Sequence, residues 1–186
     1  SFTGLLDASS SVQDMYFSDY AVTNETVGIP SEAVKTLAEN DAVESVSTTR
    51  LSVFMPGAGD ILPFETDLSV QSHETLQLVN VDEAQLQIYA PNLSAQDKQA
   101  LKDGTGCLVK NPIAFSYGDT TVQQTDLTVG DTIQLGDRTL PVLGLIDTAI
   151  TINNDGFTNG VQLIVNDEIY CSLLGNDSYS EVYPTL

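Results

Sequence analysis

The side chains that most often perform catalysis are scarce in this chain of 186 residues. His73 is the only histidine, so the sequence has no histidine pair that could hold zinc. A Ser-His-Asp triad would need His73 as its base, and no Gly-x-Ser-x-Gly motif is present to expose a nucleophilic serine. We therefore interpret His73 as an exposed polar residue.

One segment partly matches a calcium-binding loop. In residues 151–156, Asn153 and Asp155 precede a glycine as the pattern requires. Thr151, however, replaces the first carboxylate, and Gln162 replaces the glutamate that would bind calcium through both oxygens. The sequence therefore predicts a loop without calcium.

Two further candidates are weaker still. Asp131 and Asp147 would form a carboxylate pair only if a hairpin brought them together, and solvation in turns explains both more simply. The glycines at 57–59 and 104–106 lack the lysine and the spacing of phosphate-binding loops, so they predict turns. No catalytic, cofactor-binding or metal-binding constellation remains, and we expect the chain not to be an enzyme.

The charge balance excludes one large class of partner. With 26 acidic and 6 basic residues, the formal charge of −20 repels nucleic acid phosphates and anionic lipids. It would attract a cationic ligand, although the need for solubility explains the acidity more simply. No stretch approaches the roughly 18 apolar residues that span a bilayer, and no signal peptide is recognisable.

The two cysteines, Cys107 and Cys171, lie on different predicted elements. A cysteine pair outside the cytoplasm can form a disulfide, yet both residues have apolar neighbours, among which cysteine commonly acts as a small buried hydrophobe. The sequence leaves open whether they are bridged.

The elements that must position all these residues begin with a β-α-β unit. Residues 19–22 predict a short strand, and Ser31 is expected to cap a helix with apolar residues at helical spacing. Residues 43–54 are dense in β-branched side chains and predict a long strand.

A second β-α-β unit lies near the end of the sequence. It comprises a strand at 161–165, a helix capped by Asn166 and ended by Gly175, and a strand from Tyr179. Together the two units predict an α+β fold with a ferredoxin-like sheet that has helices on one face.

The stretch between these units predicts a β-rich insertion with two short helices, at residues 56–160. A Pro/Gly break opens it, and Asn159-Gly160, a turn signal of the kind that needs positive φ, closes it. After a strand at 76–81, Asp82 and Gln85 have the spacing of a capping box. Ser94 with Asp97 repeats that spacing, Gly104 follows as a C-cap, and short strands are predicted at 106–110, 111–116 and 121–126.

Residues 127–147 contain the clearest pattern of the chain. Residues 132–135 alternate polar and apolar, Gly136-Asp137 forms a short turn, and residues 140–146 are rich in apolar side chains. This pattern predicts a β-hairpin.

The order of these motifs resembles the extracytoplasmic, MacB-like periplasmic core domain of FtsX-like/MacB-like ABC transporter permeases. The resemblance rests on Val129-Gly130-Asp131-Thr132-Ile133, on Asp19-Tyr20-Ala21-Val22, on the helix opened by Ser31, on Val43-Glu44-Ser45-Val46 and on residues 161–165 with the helix after them. It implies a juxtamembrane stalk at 1–18, a discontinuous porter-like lobe at 19–55 and 161–186, and the inserted lobe at 56–160.

The resemblance also implies a function. The domain would lie on the extracytoplasmic face of the cell membrane, with membrane helices expected before Ser1 and after Leu186. A separate cytoplasmic ATPase would drive a permease dimer, and the domain would handle a peptide, a lipoprotein or a cell-envelope partner outside, without binding nucleic acid or a cofactor. The alternative is a secreted or surface-anchored adhesin, which the acidity and short strands also permit.

Overall fold

A computed structural model describes residues 22–23, 28–70, 74–146 and 160–186. The segment 1–18, interpreted above as a stalk, lies outside the described residues. In chain order the elements are β1 (Val22–Thr23), α1 (Ser31–Ala38), β2 (Ser45–Phe54), a 3-10 turn (Pro56–Ala58), β3 (Leu76–Val81), α2 (Glu83–Tyr89), α3 (Ala95–Asp103), β4 (Cys107–Lys110), β5 (Ile113–Tyr117), β6 (Thr120–Gln123), β7 (Thr132–Leu135), β8 (Arg138–Leu145), β9 (Val161–Ile164), α4 (Asp167–Leu174) and β10 (Glu181–Thr185).

Local hydrogen bonds fix the ends of three helices where the sequence predicts them. The side chains of Asp82, Ser94 and Asn166 each accept a hydrogen bond from the backbone N–H three residues later, which satisfies a donor that the first helical turn leaves free. Helices α3 and α4 end at Gly104 and Gly175, whose φ values of 76° and 72° suit glycine. No helix in the described residues has the length and apolar character needed to cross a bilayer.

The start of α1 differs from the prediction. Ser31 is the first residue of the helix rather than its cap, because Pro30 before it has the extended conformation of the cap position. The freed Ser31 hydroxyl donates a 3.0 Å hydrogen bond to Asp177 Oδ2. The side chain therefore ties α1 to the loop after α4.

Eight strands form one mixed sheet in the order β1-β10-β2-β3-β9-β4-β8-β7. Strand β2 joins the two halves of the sheet. Its residues 45–49 pair with β10, and its residues 49–54 pair with β3. Thr49 is a partner of both Glu181 and Val81, so β10 and β3 lie along opposite edges of β2. The predicted hairpin of β7 and β8 is confirmed at one end of this sheet.

The register places the start of β1 and the end of β10 at one end of the strands. Thr185 pairs with Ser45 at the start of β2, and Val22 of β1 pairs with Val182. At the opposite end, Phe54 pairs with Leu76, which in turn pairs with Val161, the first residue of β9. Strand β4 runs toward this second end, since its last residue, Lys110, pairs with Gln162.

Successive side chains of a strand point to opposite faces of the sheet, so both faces present apolar side chains. Helices cover both faces. Helix α4 covers the first face with Ile169 and Tyr170, while α2 and α3 cover the other with Leu86 and Leu101. Helix α1 packs Leu37 beside β10 in a smaller cluster. The strand residues of the first face include Leu76, Leu78, Cys107, Val109, Ile133, Leu135, Leu140, Val142, Val161 and Leu163.

The α+β class is confirmed, but the strands of the two outer units do not form a sheet by themselves. Strand β3 comes from the range 56–160, yet it lies between β2 and β9. Its first five residues are buried, which is typical of a central strand that is covered on both faces. Strands β4, β7 and β8 continue the same sheet, and the lobe boundaries at 56 and 160 stay a prediction.

Gly160 has a different role from the predicted turn. Asn159 lies outside the described residues, and Gly160 is not among the glycines with positive φ. A Cβ atom at this position would collide with the backbone and side chain of Thr75. Glycine is therefore required by the close approach of the segment before β9 to the segment before β3.

Replacement of Ile169 by alanine tests the packing of α4. Ile169 is fully buried against the sheet, so we expect a loss of about 2–5 kcal/mol in the free energy of unfolding, measured by urea denaturation. Ile61→Ala is the matched control, because Ile61 is 92% exposed, and its effect should stay within about 0.5 kcal/mol. Equal effects of the two substitutions would show that α4 does not pack as described.

Candidate interaction surface

Those of the residues singled out for chemistry that the structure describes are not assembled into a site. His73, Asp147 and residues 151–156 lie outside the described residues. Gln162 is fully buried in β9 and donates a 2.7 Å hydrogen bond to Gln77 Oε1 of the adjacent strand. The Asp131 carboxylate accepts from the Thr128 N–H within its own turn. Across the described ranges, no three His, Cys, Asp or Glu residues are grouped in a way that could hold a metal ion.

Both cysteines are free thiols, which answers the question that the sequence left open. Burial raises the pKa of Cys107 to about 12. Burial also raises the pKa of Cys171, which lies on α4 at the edge of the same apolar cluster. Because the thiolate is the reactive form, a raised pKa disfavours reaction at either thiol, and both residues pack in the apolar cluster of the first face.

A buried arginine holds the two halves of the sheet together. Arg50, only 5% exposed, lies on β2 and donates from Nη1 to Asn80 Oδ1 on β3, at 2.8 Å. Its Nε and Nη2 atoms both donate to the Asp177 carbonyl, at 3.1 Å, and its guanidinium carbon lies 3.9 Å from the centre of the Tyr179 ring. We call these four residues the Arg50 clamp. It links β2 and β3 to the loop that leads into β10.

The clamp is extended on the same face of the sheet. Asn80 Nδ2 donates to the carbonyl of Val165, just after β9, at 3.1 Å. Ser52, two residues after Arg50, shares a 2.7 Å hydrogen bond with the Tyr170 hydroxyl on α4. The ion pair between Arg50 and Asp167 contributes little, because its separation is 3.5 Å and the Asp167 side chain is largely exposed.

Gln85 fixes α2 on the other face in a way that differs from the predicted capping box. Its backbone N–H bonds to Asp82, but its buried side chain accepts from Thr49 Oγ1 at 2.6 Å and donates to Ser47 Oγ and the Thr48 carbonyl. Asp82 also accepts from the Thr48 N–H at 2.9 Å. The reason is that residues 45–48 have no strand on the β3 side, so α2 supplies the missing partners.

Strands β5 and β6 form a separate two-stranded hairpin outside the main sheet. Its base is closed by Asn111, which is buried and bonds to both the N–H and the carbonyl of Thr125. The Gln124 N–H donates to the Pro112 carbonyl, and Gln123 Nε2 donates to the Asn111 carbonyl. The hairpin is therefore held at its root, just beyond the end of β4.

All nine residues of β5 and β6 are exposed, although several are apolar. Phe115 pairs with Val122, and Tyr117 lies two residues along on the same face. Phe115 is 57% exposed and Tyr117 is 84% exposed, while Ile113 is exposed near the base. We call this hairpin, residues 113–123, the apolar hairpin. It is the strongest candidate for an interaction surface in the described residues.

A cavity of about 440 Å³ lies between the α2–α3 loop and β8, lined by residues that include Leu93, Gly144 and Asp97. Ser94, one of the polar residues of the lining, is engaged in the cap of α3. Tyr89 also lines it, and burial, followed by the carboxylates of Glu181 and Asp82, raises the pKa of this phenol. The neutral phenol and the Ser94 cap are structural features, and we assign no ligand to this cavity.

Replacement of Arg50 by alanine tests the clamp. The change leaves Asn80 Oδ1 and the Asp177 carbonyl without a buried donor, so we expect a loss of about 3 kcal/mol in the free energy of unfolding. Arg138→Ala removes a 2.8 Å ion pair to the exposed Glu168 and should cost about 0–1 kcal/mol. Denaturant melts that give the two variants the same stability would contradict this role of Arg50.

The similarity of this chain to known proteins is found in its fold and not in its sequence. No family model matches the chain, and no curated protein matches it. Among solved structures, the extracellular domain of the noncanonic ABC-type transporter YknZ from Gram-positive bacteria is similar, with a TM-score of 0.50 and 12% identity over 85% of this chain and 73% of that chain.

The periplasmic region of MacB from Actinobacillus actinomycetemcomitans gives a TM-score of 0.44 at 12% identity, over 100% of this chain and 77% of that chain. The likeness to the YknZ domain confirms, at the level of the fold, the resemblance that the order of sequence motifs predicts. The chain therefore has the fold of the extracellular domain of an ABC-type transporter.

Proposed function

We propose that this chain is the extracytoplasmic domain of an FtsX-like/MacB-like ABC transporter permease. The observation that supports this most strongly is the likeness in fold to the YknZ extracellular domain over 85% of the chain. In this function a separate cytoplasmic ATPase drives the membrane helices, and the domain responds outside the membrane. Such a domain needs no catalytic group of its own, and we expect the chain to hydrolyse neither ATP nor envelope polymers.

The placement of β1 beside β10 suits this role. Strands β1 and β10 are antiparallel neighbours, so the chain before Val22 and the chain after Thr185 leave the sheet at the same end. A domain with adjacent ends can be inserted between two membrane helices without separating them. Movement of those helices would then act on β1 and β10 together.

The Arg50 clamp and the hydrogen bonds of Gln85 would transmit that movement. Strand β10 pairs with the first half of β2, and the second half of β2 pairs with β3. Arg50 and Gln85 hold the crossing point from opposite faces of the sheet. Displacement of β10 would therefore be carried across the sheet as a rigid-body movement instead of being lost in local bending.

A test of membrane association of the native gene product distinguishes this proposal from the adhesin alternative. No observation in the described residues favours that alternative. We expect antibodies against this chain to detect a protein that stays in the membrane fraction after alkaline carbonate washing. We also expect this protein to be cleaved by protease added outside the cell and to co-purify with an ATPase subunit. Release into the medium or into the carbonate wash would overturn the permease proposal.

A further inference from the structure

The apolar hairpin combines three properties that a partner would have to match. It is rooted by the buried Asn111, it exposes Phe115 and Tyr117 on one face, and each of its strands pairs, among the described strands, only with the other. A two-stranded hairpin is marginally stable in water by itself. Free strand edges beside exposed aromatic side chains are the features to which an extended polypeptide adds as a further strand.

The position of the hairpin indicates the side from which a partner approaches. It follows β4, which ends at the end of the sheet opposite to the last residue of β10, since Lys110 pairs with Gln162 there while Thr185 pairs with Ser45 at the other end. Under the proposed function, on which this step alone rests, the membrane lies on the side of the termini. The occupant is therefore a molecule outside the membrane rather than the lipid surface.

Charge decides which polypeptide fits. Asp119 lies in the turn of the hairpin and Asp126 follows its root, whereas Lys110, the basic residue before the hairpin, is buried; the whole chain has a formal charge of −20. A second copy of the chain would bring the same excess of negative charge to the contact, which opposes self-association. A positively charged segment would be attracted to the surroundings of the hairpin and held by its aromatic side chains.

We propose that the apolar hairpin binds an extended, positively charged polypeptide segment of a partner, in which apolar and basic side chains alternate. One face of such a segment contacts Phe115, Val122 and Tyr117, and its backbone pairs with a free edge of the hairpin. Its lysine or arginine side chains point away from this face toward the acidic surroundings.

The test uses the full 186-residue chain and a synthetic peptide of alternating leucine and lysine, with binding measured by calorimetry. We expect the double variant Phe115→Ser/Tyr117→Ser to weaken binding at least about tenfold. Both side chains are more than half exposed, so the variant should keep the stability of the unmodified chain. The control Ile61→Ser removes another exposed apolar side chain, outside the hairpin, and should leave affinity unchanged.

Two further peptides test the chemistry of the contact. A leucine–glutamate peptide of the same length should bind at least about tenfold more weakly, and raising salt from about 0.1 M to about 1 M should reduce this difference because the Debye length falls from about 10 Å to about 3 Å. A leucine–lysine peptide with alternate backbone nitrogens methylated should lose affinity if the peptide adds as a strand. Equal affinities of the methylated and unmodified peptides would overturn the strand-addition geometry.

Other occupants would be revealed by the same variants. Binding of the leucine–lysine peptide that is equal in the unmodified chain and the hairpin variant would show general attraction to an acidic protein and overturn the proposal. Binding to phosphatidylcholine vesicles that depends on the hairpin would overturn the proposal and indicate a membrane as the occupant. Dimers in sedimentation that depend on the hairpin would overturn it and indicate a second copy of the chain. All these measurements use the isolated chain, so they are independent of whether the native protein is anchored in a membrane.

Discussion

The structure depends on the two-sided pairing of β2. Its first half is hydrogen-bonded to β10 along one edge and its second half to β3 along the other, with Thr49 belonging to both ladders. A strand used in this way leaves each half with one edge open. The backbone of the first half bonds instead to Asp82 and Gln85, and that of the second half to the Ser180 hydroxyl, which accepts from the Leu51 N–H and donates to the Leu51 carbonyl. The Arg50 side chain in addition joins β2 to β3 and to the loop before β10.

This arrangement orders the molecule from one end to the other. In the sheet, β1 and β10 are followed by β2, β3, β9 and β4, and the apolar hairpin comes directly after β4 in the chain. The helices lie on the faces of the sheet. Under the proposed function, such a sheet would hold the apolar hairpin at a fixed position relative to β1 and β10, as coupling to moving membrane helices would require.

Local signals in the sequence predicted local structure well. The caps at Asp82, Ser94 and Asn166 and the hairpin around Gly136 depend on neighbouring residues, so a short window contains the information. The position of β3 in the middle of the sheet could not be predicted from local signals. Whether a strand belongs to an insertion or to the centre of a sheet depends on its pairing with residues far away in the sequence. Gln77 and Asn80 are buried polar residues of this strand, so a prediction of burial from apolar residues does not identify the strand as continuously buried.

The parts that carry the functional proposals were also beyond local patterns. Arg50 lies in the strand predicted at residues 43–54 with no local signal for its buried contacts, and Gln85 was interpreted as part of a capping box, yet both side chains bond to groups on other elements. Strands at 113–117 and 120–123 were close to those predicted, but nothing in their sequence showed that they stand apart from the sheet.

The central claim is that the sheet behaves as one cooperative body across β2. Native-state hydrogen exchange in increasing denaturant measures this most directly, by comparing amides of the β10–β2 ladder with amides of the β3–β9 ladder. The account predicts that both sets merge into the same global opening, with the same free energy and the same dependence on denaturant. Opening of one ladder while the other stays protected would show two independent lobes and contradict it.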